Sequence, residues 1–368
     1  MKINWRPLVF GLLLSGLGGQ AAPPPDEAKS LATLQAKAEK GEAAAQYDFG
    51  RRYARGEGVA RDMAAAVNWW RLAAAQDFAP AQSSLGVCYS TGQGVARDEA
   101  AAVKWFRLAA ERNNPQGQYN LGVCYAAGQG VPADIFEALR WWIRAAEQND
   151  AEAQYNLGLC YANGTGLAKD DTKAVKWYHK AAAQDFPGAQ YNLGLAYANG
   201  SGVERNPQEA VNWYRQAAEQ NYAPAQYNLG DCYATGQGVA ADLREAAEWW
   251  QKAADQGDAL AQFNLGICYA TGQGVTKDLT AAAKWYRRAA EQNDAEAQFN
   301  LGLCYARGEG VAKNEAAAVK WYLLAAAQGQ QRAKIQLAES RVWMAPEQLA
   351  EGQRQADAFQ PRSTVIPP

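Results

Sequence analysis

Apolar side chains recur along this chain at the spacing of amphipathic helices. In residues 151–186, Ala153, Leu157, Cys160 and Tyr161 occupy positions i, i+4, i+7 and i+8, which form one stripe of a helix. A second stripe, rich in aromatic residues and alanine, follows after a short glycine-containing stretch. Because an apolar stripe must pack against another element, the pattern predicts two helices that pair as a hairpin.

The stretch between the two helices carries signals for ending one helix and starting the next. Gly164 and Gly166 readily take the positive φ that a chain reversal requires. Asp170 then stands where the second helix begins, and its side chain is suited to cap that helix. The equivalent residues of the other blocks are Asp62, Asp98, Asp134, Asn206, Asp242, Asp278 and Asn314.

The same 36-residue block occurs eight times over residues 43–330, without an insertion or deletion. Fixed periods of this length are typical of stacked repeats, in which each unit contacts only its neighbours. We therefore predict an all-α chain: an α/α solenoid, a right-handed superhelix of eight 36-residue helical hairpin repeats. The strictest columns are Gly50, Gly86, Gly122, Gly158, Gly194, Gly230, Gly266 and Gly302, and Tyr53, Tyr89, Tyr125, Tyr161, Tyr197, Tyr233, Tyr269 and Tyr305.

The first residues match the pattern of a secretory signal. Lys2 and Arg6 precede an apolar run at 8–17, and small residues suited to cleavage end at Ala21. The run is too short to span a bilayer, so no membrane span is expected in the mature chain. Residues 1–21 are therefore predicted to be a signal peptide, and the protein is expected to be exported to the periplasm, with secretion into the medium as the alternative.

Segments on either side of the repeats are predicted to cap the stack. Residues 22–42 are expected to form a linker and a capping helix, because Ala38 aligns with a second-helix alanine. Residues 331–359 are expected to form C-terminal capping helices, one of which opens with Pro346 at a favourable first position. The proline-containing tail at 360–368 is predicted to be disordered.

Six cysteines in an exported chain would ordinarily suggest three disulfides. All six occupy one column of the repeat, however, and equivalent points on neighbouring helices are about 8–10 Å apart, beyond the reach of a disulfide. We therefore expect six separate, semi-buried thiols, with metal binding or redox chemistry as the less favoured alternatives. The six are Cys88, Cys124, Cys160, Cys232, Cys268 and Cys304.

Composition argues against nucleic acid as a partner and against catalysis. The 36 basic and 38 acidic residues leave no field strong enough to capture a polyanion. Catalysis needs dissimilar groups that converge, which eight near-copies of one block do not favour. The single histidine, His179, aligns with arginines of other repeats and is expected at the surface. No catalytic residue, metal site or cofactor is predicted, and the protein is expected not to be an enzyme.

The block A-x-A-Q-Y-N-L-G-x-C-Y-x-x-G-x-G-V-x-x-D-x-x-x-A-x-x-W-Y-x-x-A-A resembles the Sel-1-like repeat, a relative of the tetratricopeptide repeat. The resemblance covers about residues 43–330 and implies an adaptor that holds other proteins, often in the bacterial envelope. A cysteine-rich group of relatives is linked to β-lactam binding and hydrolysis. Repeats of that group carry two cysteines each, whereas the repeats of this chain carry at most one.

Two columns of the first helices are candidate binding residues, because in the related tetratricopeptide fold these helices line the concave face. Asparagine amides can pair with the backbone of an extended peptide, or they can satisfy local backbone groups. The tyrosines can line an exposed groove or belong to the core. The candidates are Asn120, Asn156, Asn192, Asn228, Asn264 and Asn300, and Tyr119, Tyr155, Tyr191 and Tyr227.

The predicted function is that of an exported, non-enzymatic scaffold, which binds a protein or peptide partner on the concave face. The alternative is recognition or hydrolysis of a cell-wall-related small molecule or β-lactam, as in the cysteine-rich relatives. The oligomeric state is left open by the sequence.

Overall fold

The computed structural model describes residues 25–362, and every regular element in that range is an α-helix. The nineteen helices are α1 Pro25–Glu39, α2 Ala43–Arg55, α3 Met63–Ala74, α4 Ala79–Thr91, α5 Glu99–Glu111, α6 Pro115–Ala127, α7 Ile135–Glu147, α8 Ala151–Asn163, α9 Asp171–Ala182, α10 Pro187–Asn199, α11 Pro207–Glu219, α12 Ala223–Thr235, α13 Leu243–Asp255, α14 Ala259–Thr271, α15 Leu279–Glu291, α16 Ala295–Arg307, α17 Glu315–Ala327, α18 Gln331–Trp343 and α19 Pro346–Asp357.

The helices form two compact units, unit 1 ending at Phe186 and unit 2 beginning at Pro187. In unit 1, α1 packs on α2, and the hairpins α2–α3, α4–α5, α6–α7 and α8–α9 pack each on the next. In unit 2, the hairpins α10–α11, α12–α13, α14–α15 and α16–α17 pack in the same way, and α18 and α19 both pack on α17. The predicted stacking of helical hairpins is confirmed within each unit. Below, the even-numbered helices α2 to α16 are called the first helices, and the odd-numbered helices α3 to α17 the second helices.

Each second helix begins at the Asp or Asn that the sequence predicts. The Asp170 Oδ1 atom accepts a hydrogen bond from the Lys173 backbone N–H at 2.9 Å, which satisfies one of the unpaired donors of the first turn. The other seven cap residues accept equivalent bonds. These caps fix where the second helix of each hairpin starts.

The two loop glycines have different roles. Gly164 lies at φ 70° and closes α8, since its N–H donates to the Cys160 carbonyl. Gly166 lies at φ 68°, and a Cβ on it would stand 2.7 Å from Leu139 Cδ1 on the preceding second helix. The first glycine therefore reverses the chain, and the second lets the loop rest against the neighbouring repeat.

A glycine inside each first helix admits the aromatic ring of its partner helix. A Cβ on Gly158 would lie 2.4 Å from Tyr178 Cε1, closer than any side chain tolerates. Gly122 holds the same position against Trp142, whose side chain is fully buried. The glycine column thus sets the close approach of the two helices in each hairpin.

A column of buried glutamines joins neighbouring hairpins. The side chain of Gln154 donates to the Ala146 carbonyl at 3.2 Å and to Asn149 Oδ1 at 3.0 Å, and its Oε1 accepts from Gln184 Nε2 at 2.9 Å. These bonds satisfy a polar group that is only 1% exposed. The column comprises Gln46, Gln82, Gln118, Gln154, Gln190, Gln226, Gln262 and Gln298, all buried.

One member of this glutamine column lacks a donor for its oxygen. Gln82 keeps its bond to the Ala74 carbonyl at 3.3 Å, but its Oε1 atom is buried without a hydrogen-bond partner. The position that supplies the donor elsewhere holds Arg112, which forms an ion pair with Asp77 instead. Replacing the usual glutamine by Arg112 therefore leaves the Gln82 oxygen buried without a hydrogen bond.

The six cysteines are free thiols, as the sequence predicts. Five are buried, and Cys232 is half-buried. Burial raises the pKa of Cys88, Cys124 and Cys160 to about 12. These thiols are therefore uncharged near neutral pH and fill space between helices as small apolar groups.

Both ends of the described chain are packed against the repeats. Helix α1 begins at Pro25, and its Ala38 is buried against α2 together with Phe49. At the other end, Arg362 donates from its backbone N–H to the Glu291 carbonyl at 2.7 Å and forms an ion pair with the Glu291 carboxylate at 3.0 Å.

The other terminal predictions are outside the described range. The predicted signal peptide at 1–21, residues 22–24 of the predicted linker and residues 363–368 of the predicted tail all lie outside the described residues. Among the helices that the structure describes, none has both the length and the apolar character needed to cross a bilayer.

Candidate functional site

The candidate asparagines and tyrosines lie on the first helices, where they are partly exposed. Asn156 is buried, and the other five asparagines are half-buried. Tyr119 is only 2% exposed and belongs to the core, whereas Tyr155, Tyr191 and Tyr227 are half-buried. Most of both columns is therefore positioned between core and surface.

The two columns contact each other between adjacent repeats. The amide of an asparagine hydrogen-bonds with the hydroxyl of the tyrosine in the preceding repeat, an arrangement that we call a Tyr–Asn rung. Each rung occupies part of the hydrogen-bonding capacity of its amide. The rungs are Tyr119 with Asn156 in unit 1, and Tyr191 with Asn228 and Tyr227 with Asn264 in unit 2.

Two candidate asparagines have no rung of this kind. The residue that would supply the hydroxyl to Asn120 is Ser83, and the one that would supply it to Asn300 is Phe263. Both asparagines are half-buried on first helices. Their amides are therefore the ones that the tyrosine column does not occupy.

The tyrosine rings are held by stacking within their own hairpins. The ring centroid of Tyr155 lies 6.1 Å from that of Tyr178 and 4.9 Å from that of Phe186. Tyr191 makes the same contacts with Tyr214 and Tyr222, at 6.0 and 5.5 Å. The rings are thus fixed platforms, with one side in the core and the hydroxyl edge toward the rungs.

Two carboxylates that the sequence analysis did not single out lie beside the first rung of unit 1. Asp150 caps α8 by accepting from the Ala153 N–H at 2.9 Å, and Glu152 follows in the first turn at 8% exposure. Burial, and then the charge of Glu152, raises the pKa of Asp150 to about 7. Burial also raises the pKa of Glu152, which shares a hydrogen bond with Asp150. Tyr119 faces this pair, since the charges of both carboxylates raise the pKa of its hydroxyl.

This acid pair predicts that part of the stability is lost as the pH rises. An Asp150 pKa near 7 in the folded state, against about 3.9 when unfolded, means that the folded protein binds more protons between those values. The stability that the protonated Asp150 contributes is fully present below about pH 4 and is lost by about pH 7. We expect Glu152→Gln to gain about 1–3 kcal/mol relative to the parent at pH 8, and much less at pH 4. Thermal melts at both pH values measure the difference.

The matched control for this prediction is Glu296→Gln. Glu296 holds the same repeat position in α16, but its side chain is exposed and accepts hydrogen bonds from Gln330. The charge of Glu296 contributes less than burial to the raised pKa of Asp294, so its replacement should change the pH dependence of the melt much less than Glu152→Gln does. Equal pH profiles for the parent and the Glu152→Gln variant would show that the pair does not share a proton.

The described residues hold no cluster suited to a metal ion. Within this range no group of three or more His, Cys, Asp or Glu side chains is arranged to hold a metal ion. His179 is half-buried on α9, at the repeat position where Arg215 donates to the Tyr233 hydroxyl at 3.1 Å. What the first helices present instead is a repeated set of amides, aromatic edges and scattered carboxylates, a surface suited to binding.

Fold and surface together define an α/α solenoid repeat protein. The Sel1 repeat model matches eight consecutive segments, 43–78, 79–114, 115–150, 151–186, 187–222, 223–258, 259–294 and 295–330. The chain belongs to the Sel1 repeat family, as the sequence predicts, and repeats of this family commonly mediate protein–protein interactions.

Two crystal structures of similar proteins share the fold. A protective antigen of uropathogenic Escherichia coli with an SLR fold is 38% identical over 89% of this chain and 71% of its own, with a TM-score of 0.76. A Sel1 repeat protein from Oxalobacter formigenes is 35% identical over 87% of this chain and 94% of its own, with a TM-score of 0.61. No curated protein sequence matches the chain.

Proposed function

We propose that this protein is an exported, non-enzymatic scaffold, which binds a protein or peptide partner along its first helices. The observation that supports this most is the row of half-buried asparagine amides and tyrosine edges on successive first helices of each unit. Amides offer both a donor and an acceptor to the backbone of an extended segment, whatever its side chains. Export is supported by the signal-like pattern at 1–21.

The rungs divide the asparagines into two groups for a test. Asn156 and Asn264 hydrogen-bond with tyrosines of the preceding repeat, so their replacement would also loosen the packing between repeats. Asn120 and Asn300 have no such rung, so their replacement by alanine should leave the thermal melt nearly unchanged. The double variant Asn120→Ala/Asn300→Ala is therefore the cleaner probe of binding.

We expect this double variant to bind its partner about thirtyfold more weakly, at about 1 kcal/mol for each of the two lost hydrogen bonds. The partner is first captured from cell-envelope extract by the immobilised protein and identified by mass spectrometry. It is then purified, and its Kd is measured by calorimetry. The matched control is Asn68→Ala/Asn212→Ala, which removes amides from the second helices α3 and α11. The same Kd for the parent and the Asn120/Asn300 variant would show that these two amides are not part of the binding site.

A further inference from the structure

The C-terminal segment of the described chain covers a tryptophan of the last repeat. Residues 359–362 follow α19 and form no regular secondary structure. The ring of Phe359 packs edge-on against Trp321 on α17, with the two ring centroids 5.5 Å apart. Leu324 and Phe359 both pack against the hydrophobic cluster that contains Trp321. Trp321 is only 5% exposed in this arrangement.

The same segment brings a positive charge to the end of α15. Glu291 is the last residue of this helix, so its carbonyl belongs to the turn for which the helix itself supplies no donor. The Arg362 backbone N–H donates to that carbonyl at 2.7 Å, and the Arg362 guanidinium pairs with the Glu291 carboxylate at 3.0 Å. An aromatic side chain and an arginine three residues later therefore fill a site made of a helix-terminal acid, a tryptophan and a leucine.

Four inner repeats cover the equivalent tryptophan with a side chain of their own. At the position of Leu324 these repeats hold lysine or arginine, and the cation lies 3.6–4.8 Å from the centroid of the tryptophan ring. The preceding second helix ends in an acidic residue in all four, and Asp255 pairs with Arg288 at 4.0 Å. These repeats thus supply a cation to both groups from within the chain. The cations are Arg144, Lys180, Lys252 and Arg288, and the acids are Glu111, Glu147, Glu219 and Asp255.

The first repeat has the same three groups as the C-terminal site. Glu39, Trp69 and Leu72 hold the repeat positions of its acid, its tryptophan and its leucine. Helix α1 takes the place of a preceding second helix and ends at Glu39, just as α15 ends at its acid. Among the eight repeats, only the first and the last combine an acid, a tryptophan and a leucine at these positions.

The packing behind the first-repeat site also matches that of the C-terminal site. Trp69 packs against a cluster that contains Ala38, Ala45 and Phe49, and the residues at the same positions in unit 2 form one cluster with Trp321. Phe49 contacts the Trp69 ring from α2 at a centroid distance of 5.2 Å, where the last repeat has a leucine. Helix α1 and Trp69 are therefore held together in the way that α15 and Trp321 are.

The first-repeat site is accessible from solvent. Leu72 is 50% exposed, Trp69 is half-buried and Glu39 is exposed. Glu39 Oε1 accepts a hydrogen bond from Gln35 Nε2 at 2.8 Å, and a carboxylate keeps capacity for further donors. Leucine stands here where the inner repeats hold their covering cation, so this position supplies no charge to the acid.

We propose that the surface formed by Glu39, Trp69 and Leu72 binds a partner polypeptide that carries an aromatic side chain three residues before an arginine. The aromatic ring would pack on Trp69 and Leu72, and the arginine would pair with the Glu39 carboxylate at the end of α1. This surface uses none of the asparagines of the first helices, so it adds a second binding surface to the proposed scaffold.

The occupant is a different polypeptide and not a second copy of this chain. The C-terminal segment of a second copy has the right chemistry, but that segment is already engaged on its own α15 and α17. Because the site within the same chain is met at a higher effective concentration, a site on another copy competes poorly for it.

The probe is an amidated peptide with the sequence of residues 357–362, Asp-Ala-Phe-Gln-Pro-Arg, labelled with a fluorophore at its N-terminus. We expect saturable binding to the full chain, measured by fluorescence anisotropy, that weakens as salt is added. Two counterpart peptides, with alanine in place of phenylalanine or glutamate in place of arginine, should each bind about tenfold more weakly. A version with a benzophenone group in place of the glutamine, which is exposed in the bound segment, should cross-link to α1 and α3.

The variant Leu72→Lys is designed to close the site from within. Lysine occurs at this repeat position as Lys180 and Lys252, so the fold is retained, and a thermal melt checks this. We expect the lysine to cover Trp69, and the affinity for the peptide to fall about tenfold. The matched control is Leu260→Lys, which changes a leucine of similar exposure, 49%, on α14. Its affinity should change less than about twofold.

Four results would overturn the inference: no binding of the peptide, equal binding of the two counterpart peptides, equal losses in the two lysine variants, or cross-links confined to α15 and α17. Self-association of the parent that Leu72→Lys abolishes would also overturn it, because the occupant would then be a second copy. The scaffold function is tested separately. A protein that captures its partner through Asn120 and Asn300 but ignores the peptide keeps the proposed function and loses this inference.

Discussion

Replacing Gly158 with alanine is expected to destabilise the α8–α9 hairpin by about 1–3 kcal/mol. The added Cβ would stand 2.4 Å from Tyr178 Cε1, and Tyr178 is only 5% exposed, so the ring has no open space to move into. Either the ring leaves its rotamer or the two helices separate. Amide hydrogen exchange in α8 and α9 measures the local loss directly, and the thermal melt reports the effect on the whole chain.

A double-mutant cycle with Tyr178→Leu isolates the contact. If the aromatic ring is the obstacle, Gly158→Ala should cost much less in the leucine background than in the parent. Helix α18, which follows the eighth repeat, supports this expectation. Ala338 there takes the place of the glycine and is exposed. Equal costs in the two backgrounds would mean that the glycine serves another purpose.

Replacing Gln154 with leucine is expected to cost about 2–4 kcal/mol, because it removes three hydrogen bonds at about 1 kcal/mol each. The shape of the side chain is nearly retained, but the Ala146 carbonyl keeps only the bond from the Asn149 backbone N–H among its contacts with this connector, and Gln184 Nε2 keeps only its 3.4 Å bond to Asn149 Oδ1. The bond to Ala146 crosses from the fourth repeat to the third, and the bond with Gln184 lies within the fourth repeat. Chemical denaturation, combined with hydrogen exchange in α7 to α9, measures the change.

Gln82→Leu is the matched control, since Gln82 already lacks the hydrogen bond that Gln154 Oε1 accepts from Gln184. The Oε1 atom of Gln82 is buried without a partner, so leucine there eliminates an unsatisfied oxygen as well as a bond to the Ala74 carbonyl. We expect its cost to be less than half that of Gln154→Leu. Equal costs would contradict the assignment of the 2.9 Å Gln184 bond as a stabilising contact.

The sequence predicts the hairpins and their boundaries because the signals are local. Asp170 caps the helix that follows it, and Gly164 ends the helix that precedes it, so each residue acts within one turn of itself. The glutamine column is equally regular in sequence, yet its purpose was not predicted. Gln154 depends on Gln184, thirty residues away in the turn after α9, and such a pair is visible only once the hairpin is folded.

The candidate site was predicted only in part, because some of its contacts join residues that are distant in sequence. Repeat spacing places Asn228 and Tyr191 on first helices. The hydrogen bond between the Asn228 amide and the Tyr191 hydroxyl depends on how the repeats pack, and repeat spacing alone does not predict it. The acid pair of unit 1 was not predicted, because in the sequence Asp150 and Glu152 resemble ordinary residues of a polar connector. They lie against Tyr119 of the preceding first helix, a contact that local sequence does not encode.

The glutamine bonds also bear on how such a chain can lengthen or shorten during evolution. Gln118 with Gln148, and Gln226 with Gln256, pair at the same separation of thirty residues. Each pair lies within one repeat, so duplicating or excising a whole repeat moves both partners together and leaves no buried glutamine without its partner. An insertion or deletion inside a hairpin would separate the two partners, so duplication of whole units is the least destabilising way to change the number of repeats.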